Sequence, residues 1–142
     1  MKVVSFKHTN RQYFNLARNI RKIVFIEGMN VSESDEFEFD DQATHYLLFN
    51  DNNEAVATSR WRETEEGIKL ERFAVLKDYR AKGLGRVILK HMLEDVIKLD
   101  KHIYLYAQIE AVNFYQKNGF TARGDQFMEA GIKHVLMEYI YN

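Results

Sequence analysis

The fold of this chain is decided where it reads Leu70-Glu-Arg-Phe-Ala-Val-Leu-Lys-Asp-Tyr-Arg80-Ala-Lys-Gly-Leu-Gly85-Arg-Val-Ile-Leu89. An apolar strand runs into a basic turn with two glycines, and an amphipathic helix begins directly afterwards. Such a turn points several backbone N–H groups and the positive end of a helix at one place, which suits a phosphate group. The glycines lack a Cβ, so a phosphate can approach the backbone closely. The stretch therefore predicts a phosphate-binding turn between a strand and a helix, although an ordinary strand-to-helix turn fits these residues as well.

Length and composition indicate one soluble domain. With 142 residues, 46% of them hydrophobic and 29% charged, the chain can bury one full core. A formal charge of −1 gives no electrostatic footprint for nucleic acid, and the absence of cysteine excludes disulfides and a cysteine nucleophile. The first residues have too short an apolar run for a signal peptide, and no stretch approaches the ~20 apolar residues of a membrane span. We therefore expect one cytoplasmic domain over residues 1–142 that binds neither nucleic acid nor a membrane.

Apolar periodicity and turn residues place strands and helices along the chain. Strands are predicted at residues 3–6, 45–49, 55–62, 68–76, 103–107, 120–123 and 134–140. Helices are predicted from a capping box at Thr9-x-x-Gln12 to near Gly28, along Leu84, Ile88, Met92 and Val96, and at 111–117. Phe37 and Phe39 alternate with acids, so part of the acidic segment 31–42 is predicted to be extended. The result is an α/β domain: a mixed, mostly antiparallel sheet flanked by helices, with one parallel strand pair.

A second motif follows the phosphate turn after about thirty residues and a strand. It reads Ala111-Val-Asn-Phe-Tyr115-Gln-Lys-Asn-Gly119-Phe120. Together with Arg80-x-x-Gly83-x-Gly85, it resembles the two hallmarks of the GNAT superfamily of acetyl-CoA-dependent N-acetyltransferases. The turn is neither a Walker A sequence nor a dinucleotide-binding Gly-x-Gly-x-x-Gly. The stretches 20–27, 60–62 and 130–134, and the acidic segment that ends in His45, further resemble a subgroup of small bacterial GNAT proteins.

The resemblance implies an acetyl-CoA site in the cleft beside the parallel strand pair. It implies that this pair diverges near the thioester, and that a backbone N–H of the first strand faces the acetyl carbonyl as an oxyanion donor. No metal is expected to hold the pyrophosphate. The residues that the resemblance assigns to the cofactor are Phe73, Ala74 and Val75 along the pantetheine arm, Arg80, Ala81, Lys82, Gly83, Leu84, Gly85 and Arg86 in the turn, and Gln108, where the family often has Asn.

Proton removal from the acceptor has one candidate base. An alkyl amine with a pKa near ~10.4 is mostly charged at pH 7, so a base or a relaying water must take a proton. Glu71 is the candidate, because it shares a strand face with Phe73 and the family often places a glutamate there. The alternative is that Glu71 only forms an ion pair with Arg60, Arg62 or Arg72.

Tyr115 is the candidate proton donor to the leaving group. It matches the family position that donates a proton to the departing thiolate. A phenol with a pKa near ~10 is a slightly uphill donor to a thiolate near ~8.5, so a hydrogen bond that stabilises the thiolate is equally consistent. The remaining alternative is a tyrosine that only packs in its helix.

The acceptor side shows two kinds of polar residue. Arg60 and Arg62 share a strand face and could hold a carboxylate or phosphate, or else form ion pairs with the acidic segment. That segment could equally attract a cationic amine. The family places substrate contacts near His45 and His134, for which a structural role is the alternative. These histidines do not form a metal-binding spacing with nearby acids, so no metal site is predicted.

The sequence predicts an N-acetyltransferase that moves an acetyl group from acetyl-CoA to a primary amine, by direct transfer through a tetrahedral intermediate. The acceptor is a small molecule or a peptide. The alternative is a non-catalytic acyl-CoA-binding sensor or interaction module on the same fold, but Tyr115 and Glu71 favour the enzyme. The last strand could also pair across a homodimer.

Overall fold

The computed structural model describes residues 1–141, and seven strands form a single sheet within them. The strands are β1 (Lys2–Phe6), β2 (Thr44–Phe49), β3 (Ala55–Thr64), β4 (Gly67–Val75), β5 (Ile103–Gln108), β6 (Phe120–Glu129) and β7 (Ile132–Tyr139). Their order in the sheet is β1-β2-β3-β4-β5-β7-β6, and β4 with β5 is the parallel pair. The mixed, mostly antiparallel sheet with a parallel pair is therefore confirmed.

Helices cover both faces of the sheet. They are α1 (Arg11–Arg21), which continues as a π-helical turn (Lys22–Glu27), α2 (Glu33–Phe37), α3 (Leu84–Ile97) and α4 (Val112–Gln116). Successive strand residues point to opposite faces. Accordingly, Leu48 packs in the core that holds Ile88 of α3, whereas Leu47 packs in the core that holds Ile20 of α1. Within residues 1–141, no helix is long and apolar enough to cross a bilayer.

Three local predictions were wrong. The N-cap of α1 is Asn10 rather than Thr9, because its side chain accepts the backbone N–H of Tyr13. The acidic segment is helical rather than extended: Ser32 caps α2, and a 3-10 turn follows at Asp40–Gln42. The last strand has no free edge for a dimer, because β7 lies between β5 and β6.

The parallel pair opens part-way along its length. Ile68 pairs with Ile103, and pairing ends at Leu70 with Leu105, although β4 continues to Val75. The register of β4 against β3 also shifts just past this point, where Arg72 has a φ of 61°. An extra residue at such a bulge bends a strand and increases its twist. The two strands therefore diverge beyond Leu70, and the second half of β4 has no partner on its β5 side.

Candidate functional site

A cavity of about 1090 Å³ opens where β4 and β5 diverge. We call its two ends the turn end, lined by residues between Arg80 and Arg86, and the β7 end, lined by Tyr106 and His134. The aromatic side chains of Phe73 and Tyr115 lie in the wall between them. One cavity therefore joins the glycine turn to the face of the sheet that carries the polar side chains of Lys69, Glu71 and His134.

The turn end is built for an anion. Gly83 has a φ of 77° and Leu84 begins α3, so a left-handed residue precedes a right-handed one, and such a pair turns successive N–H groups toward one point. No side chain caps α3, which leaves the N–H groups of its first turn free for another acceptor. A Cβ on Gly85 would meet Phe114 only at 3.5 Å, an ordinary contact, so the backbone itself tolerates alanine at that position.

Basic side chains surround this turn. Arg80 Nε donates a hydrogen bond of 2.9 Å to the Val75 carbonyl, which folds the turn back onto β4. Arg86 and Lys77 line the cavity. Lys82 lies outside the lining, with its Nζ 5.5 Å from the centre of the Tyr79 ring. Positive charge is thus concentrated at the turn end.

Tyr115 sits in an aromatic wall. Its ring meets Phe73 edge-on at 5.8 Å between centroids, and Phe114 and Phe120 complete the cluster. Burial raises the pKa of Tyr115 above its ordinary value of 10. A weaker acid releases its proton less readily, which favours a hydrogen bond to a thiolate over full proton transfer.

Glu71 lies in a buried cluster of cations. Its Oε1 accepts hydrogen bonds from Arg62 Nε at 2.6 Å and Arg60 Nε at 3.2 Å, and Lys69 Nζ is 3.4 Å from its Oε2. Burial alone would raise the pKa of this carboxyl, but Arg60, Lys69, Arg72 and Arg62 outweigh burial and lower it to about 2. Glu71 is therefore a firmly ionised carboxylate with little affinity for a proton at neutral pH.

The same cluster ties the acidic segment to the sheet. Asp40 accepts hydrogen bonds from Arg21 at 2.8 Å and Arg60 at 2.6 Å, and Glu36 accepts one from Arg21 at 2.9 Å. From the bulge in β4, Arg72 Nε donates to the Glu36 carbonyl at 3.1 Å. These bonds hold α2 against the sheet beside the cavity.

Comparison with known proteins places this geometry in a family. The model of the Acetyltransferase (GNAT) domain matches residues 21–141. The chain belongs to the GNAT acetyltransferase family. It is 44% identical to the Bacillus subtilis protein YyaT over 128 residues, which cover 85% of this chain and 84% of YyaT.

Solved structures agree with this fold. Escherichia coli ElaA superposes with a TM-score of 0.87 at 26% identity, covering 99% of this chain and 100% of ElaA. An aminoglycoside 6′-N-acetyltransferase in complex with coenzyme A shares the fold at 14% identity, with a TM-score of 0.78 over 100% of this chain and 99% of that one. The family match indicates an acyltransferase, and the similarity to ElaA extends over 99% of this chain.

Most of the expected cofactor residues of this GNAT domain lie together. Of the set assigned above, only Lys82 lies outside the cavity lining. Gln108 lines the cavity at the end of β5, with its Nε2 3.8 Å from Met29 Sδ. Direct contact of these residues with acetyl-CoA stays a prediction.

Three expected acceptor contacts do not line the cavity: Arg60, Arg62 and His45. Arg60 is 0% exposed and bound to Asp40, so the alternative of ion pairs to the acidic segment describes it. His45 is also 0% exposed; its Nε2 contacts the Asp40 carbonyl at 2.9 Å, and burial lowers its pKa to about 4. The geometry gives these side chains a structural role, and their contact with a substrate stays untested.

Several cavity residues were not assigned to the site from the sequence, and Tyr106 and Arg72 show why. Tyr106 lies two positions before Gln108 on β5, so strand alternation could have placed both on one face. Arg72 reaches the cavity through a bulge with positive φ, for which an arginine gives no sequence signal.

Proposed function

We propose that this GNAT domain transfers an acetyl group directly from acetyl-CoA to a cationic primary amine. The observation that carries the proposal is the single cavity that joins the basic turn to the polar face of β4, β5 and β7. Basic side chains surround the turn end, and the carboxylates of Asp35, Glu38 and Glu129 also line the cavity. A donor with phosphates and an acceptor with a positive charge would thus meet beside the splayed strands.

The cavity residues fit coenzyme A. Its pyrophosphate requires clustered N–H donors and positive charge, which the turn from Arg80 to Arg86 offers at the start of α3. The amides of the pantetheine arm require backbone partners. The half of β4 beyond Leu70 has N–H and C=O groups without a partner on β5, and an extended arm can pair with them.

The middle of the cavity supports the chemistry of acyl transfer. A free backbone N–H of β4 can stabilise negative charge on the acetyl oxygen, a contribution that is typically ~3–4 kcal/mol. Tyr115 can donate a hydrogen bond to the thiolate as the carbon–sulfur bond breaks. The chain has no cysteine to carry an acyl group, which favours a direct transfer.

The β7 end favours a cationic acceptor. The basic side chains at this end already have partners: Lys69 forms an ion pair with Glu71, and Arg72 donates a hydrogen bond to the Glu36 carbonyl. Three further acids line the cavity: Asp35, Glu38 and Glu129. The carboxylates of these three residues can attract an alkylammonium ion to the cavity.

The test is thiol release from acetyl-CoA across a panel of mono-, di- and polyamines and lysine peptides, with neutral alcohols as matched controls. We expect thiol release that depends on an amine. If the protein binds coenzyme A in a calorimeter but releases thiol at the same rate with and without amine, the sensor alternative replaces the enzyme.

A further inference from the structure

His134 differs from the other polar side chains around the cavity. It is 8% exposed, lines the β7 end, and stacks on the Phe127 ring at 6.0 Å between centroids. His134 on β7 pairs with Gln108 on β5, and Lys69 on β4 pairs with Tyr104, four residues before Gln108. The side chains of His134 and Gln108 therefore lie on the same face of the sheet as those of Lys69 and Glu71. A buried imidazole in the wall of a reaction cavity calls for a chemical explanation.

The hydrogen bonding of His134 fixes its tautomer. Its Nδ1 lies 2.7 Å from the backbone carbonyl of Ile132. A carbonyl oxygen only accepts hydrogen bonds, so Nδ1 carries the proton. The neutral ring then has its lone pair on Nε2, and the one hydrogen bond that the ring makes within residues 1–141 is through Nδ1. His134 is thus oriented as a base with its acceptor nitrogen uncommitted.

We propose that Nε2 of His134 takes the proton from the acceptor ammonium, which leaves Glu71 as an ion-pair partner. The inference rests on the proposed function. It gives the catalytic base a location on β7, opposite the position on β4 that the sequence suggested. The Nε2 lone pair of His134 is available for a proton, whereas the Glu71 carboxylate is already paired with Arg60, Arg62 and Lys69.

Other titratable groups share this end of the cavity. Lys69, Glu71 and Arg72 face it from β4, Tyr106 from β5, Glu129 from β6, and Asp35, Glu36 and Glu38 from α2 and its C-terminal side. Lys69 Nζ lies 4.1 Å from the centre of the Tyr106 ring and close to Glu71. The acids favour an ammonium ion in front of His134, and the imidazole supplies an acceptor for its proton.

The proton balance is simple. An ammonium R–NH₃⁺ gives one proton to Nε2, which yields R–NH₂ and an imidazolium. The amine lone pair forms the bond to the acetyl carbon, and the carbon–sulfur bond breaks with its electron pair on sulfur. The second amine proton neutralises the thiolate, directly or through the Tyr115 hydroxyl. The imidazolium then returns its proton to solvent.

The test compares His134→Asn with wild type, using the best amine acceptor and a pH range from 6 to 9.5. Asparagine keeps an N–H that can reach the Ile132 carbonyl but lacks Nε2. We expect kcat/KM at pH 7 to fall about 100-fold, within the range for loss of a general base. Without a base only neutral amine reacts, so the variant's kcat/KM should rise about tenfold per pH unit, while the wild-type profile levels off.

Three controls separate the possible outcomes. His91→Asn makes the same change on the exposed face of α3 and should leave the wild-type profile intact. Calorimetry with coenzyme A should give equal affinity for all three proteins, which checks that they are folded. A loss by the same factor at every pH, or full activity, would overturn the base role while the proposed function stands. Absence of amine-dependent turnover in wild type would overturn both.

Discussion

Glu71→Gln should destabilise the domain strongly in spite of its small change in shape. Glutamine resembles the protonated carboxyl but cannot neutralise the buried cations. In the native protein Arg60, which is 0% exposed, and Arg62 both donate to Glu71 Oε1. The variant leaves Arg60 with Asp40 as its remaining buried carboxylate within hydrogen-bond reach, and it removes the carboxylate that pairs with Arg62.

The expected loss in the free energy of unfolding follows from the pKa of Glu71, which falls from an ordinary 4.5 to about 2 in the folded protein. At about 1.4 kcal/mol for each pKa unit, the ionised carboxylate stabilises the fold by roughly 3 kcal/mol at pH 7. Because the folded pKa is the lower one, this stability is present above about pH 5 and is lost as the pH falls toward 2. By the same relation roughly 2 kcal/mol remains at pH 3.5.

Urea unfolding of wild type, Glu71→Gln and Glu63→Gln at pH 7 and pH 3.5 measures both effects. Glu63 pairs with Lys101 at the surface, so its variant should lose less than about 1 kcal/mol. Burial lowers the pKa of His45 to about 4, so protonation of His45 also destabilises the fold as the pH falls below 6.5. This contribution is the same in all three proteins and cancels when their free energies of unfolding are compared. A Glu71→Gln variant within about 1 kcal/mol of Glu63→Gln at pH 7, or a difference that is independent of pH, would refute the reasoning.

Three further predictions concern the cavity. Gly85→Asp should weaken coenzyme A binding more than tenfold, over ~1.4 kcal/mol by calorimetry, because a carboxylate would meet the pyrophosphate; Gly85→Ala, which meets only Phe114 at 3.5 Å, is the matched control and should be milder. Tyr115→Phe should lower kcat with little change in cofactor affinity, since the Tyr115 hydroxyl acts where charge gathers on sulfur. An unchanged rate constant in single-turnover kinetics would show that Tyr115 only packs in its helix. Glu38→Gln with Glu129→Gln should raise KM for diamines more than for monoamines, and an equal rise for both would argue against an acidic acceptor site.

The sequence predicts this fold well where information is local. The strand, turn and helix around Gly83 are marked by apolar periodicity and by a glycine whose φ is 77°. The parallel pair follows from a strand, a helix and a strand in succession. The divergence of this pair was predicted only from the family resemblance, because no residue of β4 or β5 marks Leu70 as the place where pairing ends.

The acceptor side was harder to predict, because its geometry depends on distant parts of the chain. Strand alternation correctly places Arg60 and Arg62 on one face, but their partner depends on how α1 and α2 fold over the sheet. The acidic segment becomes helical where Arg21 binds Glu36, a contact across 15 residues. The orientation of His134 depends on the Ile132 carbonyl, which only the strand geometry reveals.

The most direct measurement follows an isotopically labelled acetyl group from acetyl-CoA into the acceptor. Mass spectrometry of the product, with parallel thiol titration, should give one labelled amide per thiol released, and hydroxylamine should leave that amide intact. Thiol release without a labelled amide, or label in a hydroxylamine-sensitive ester, would contradict transfer from acetyl-CoA to an amine in this cavity.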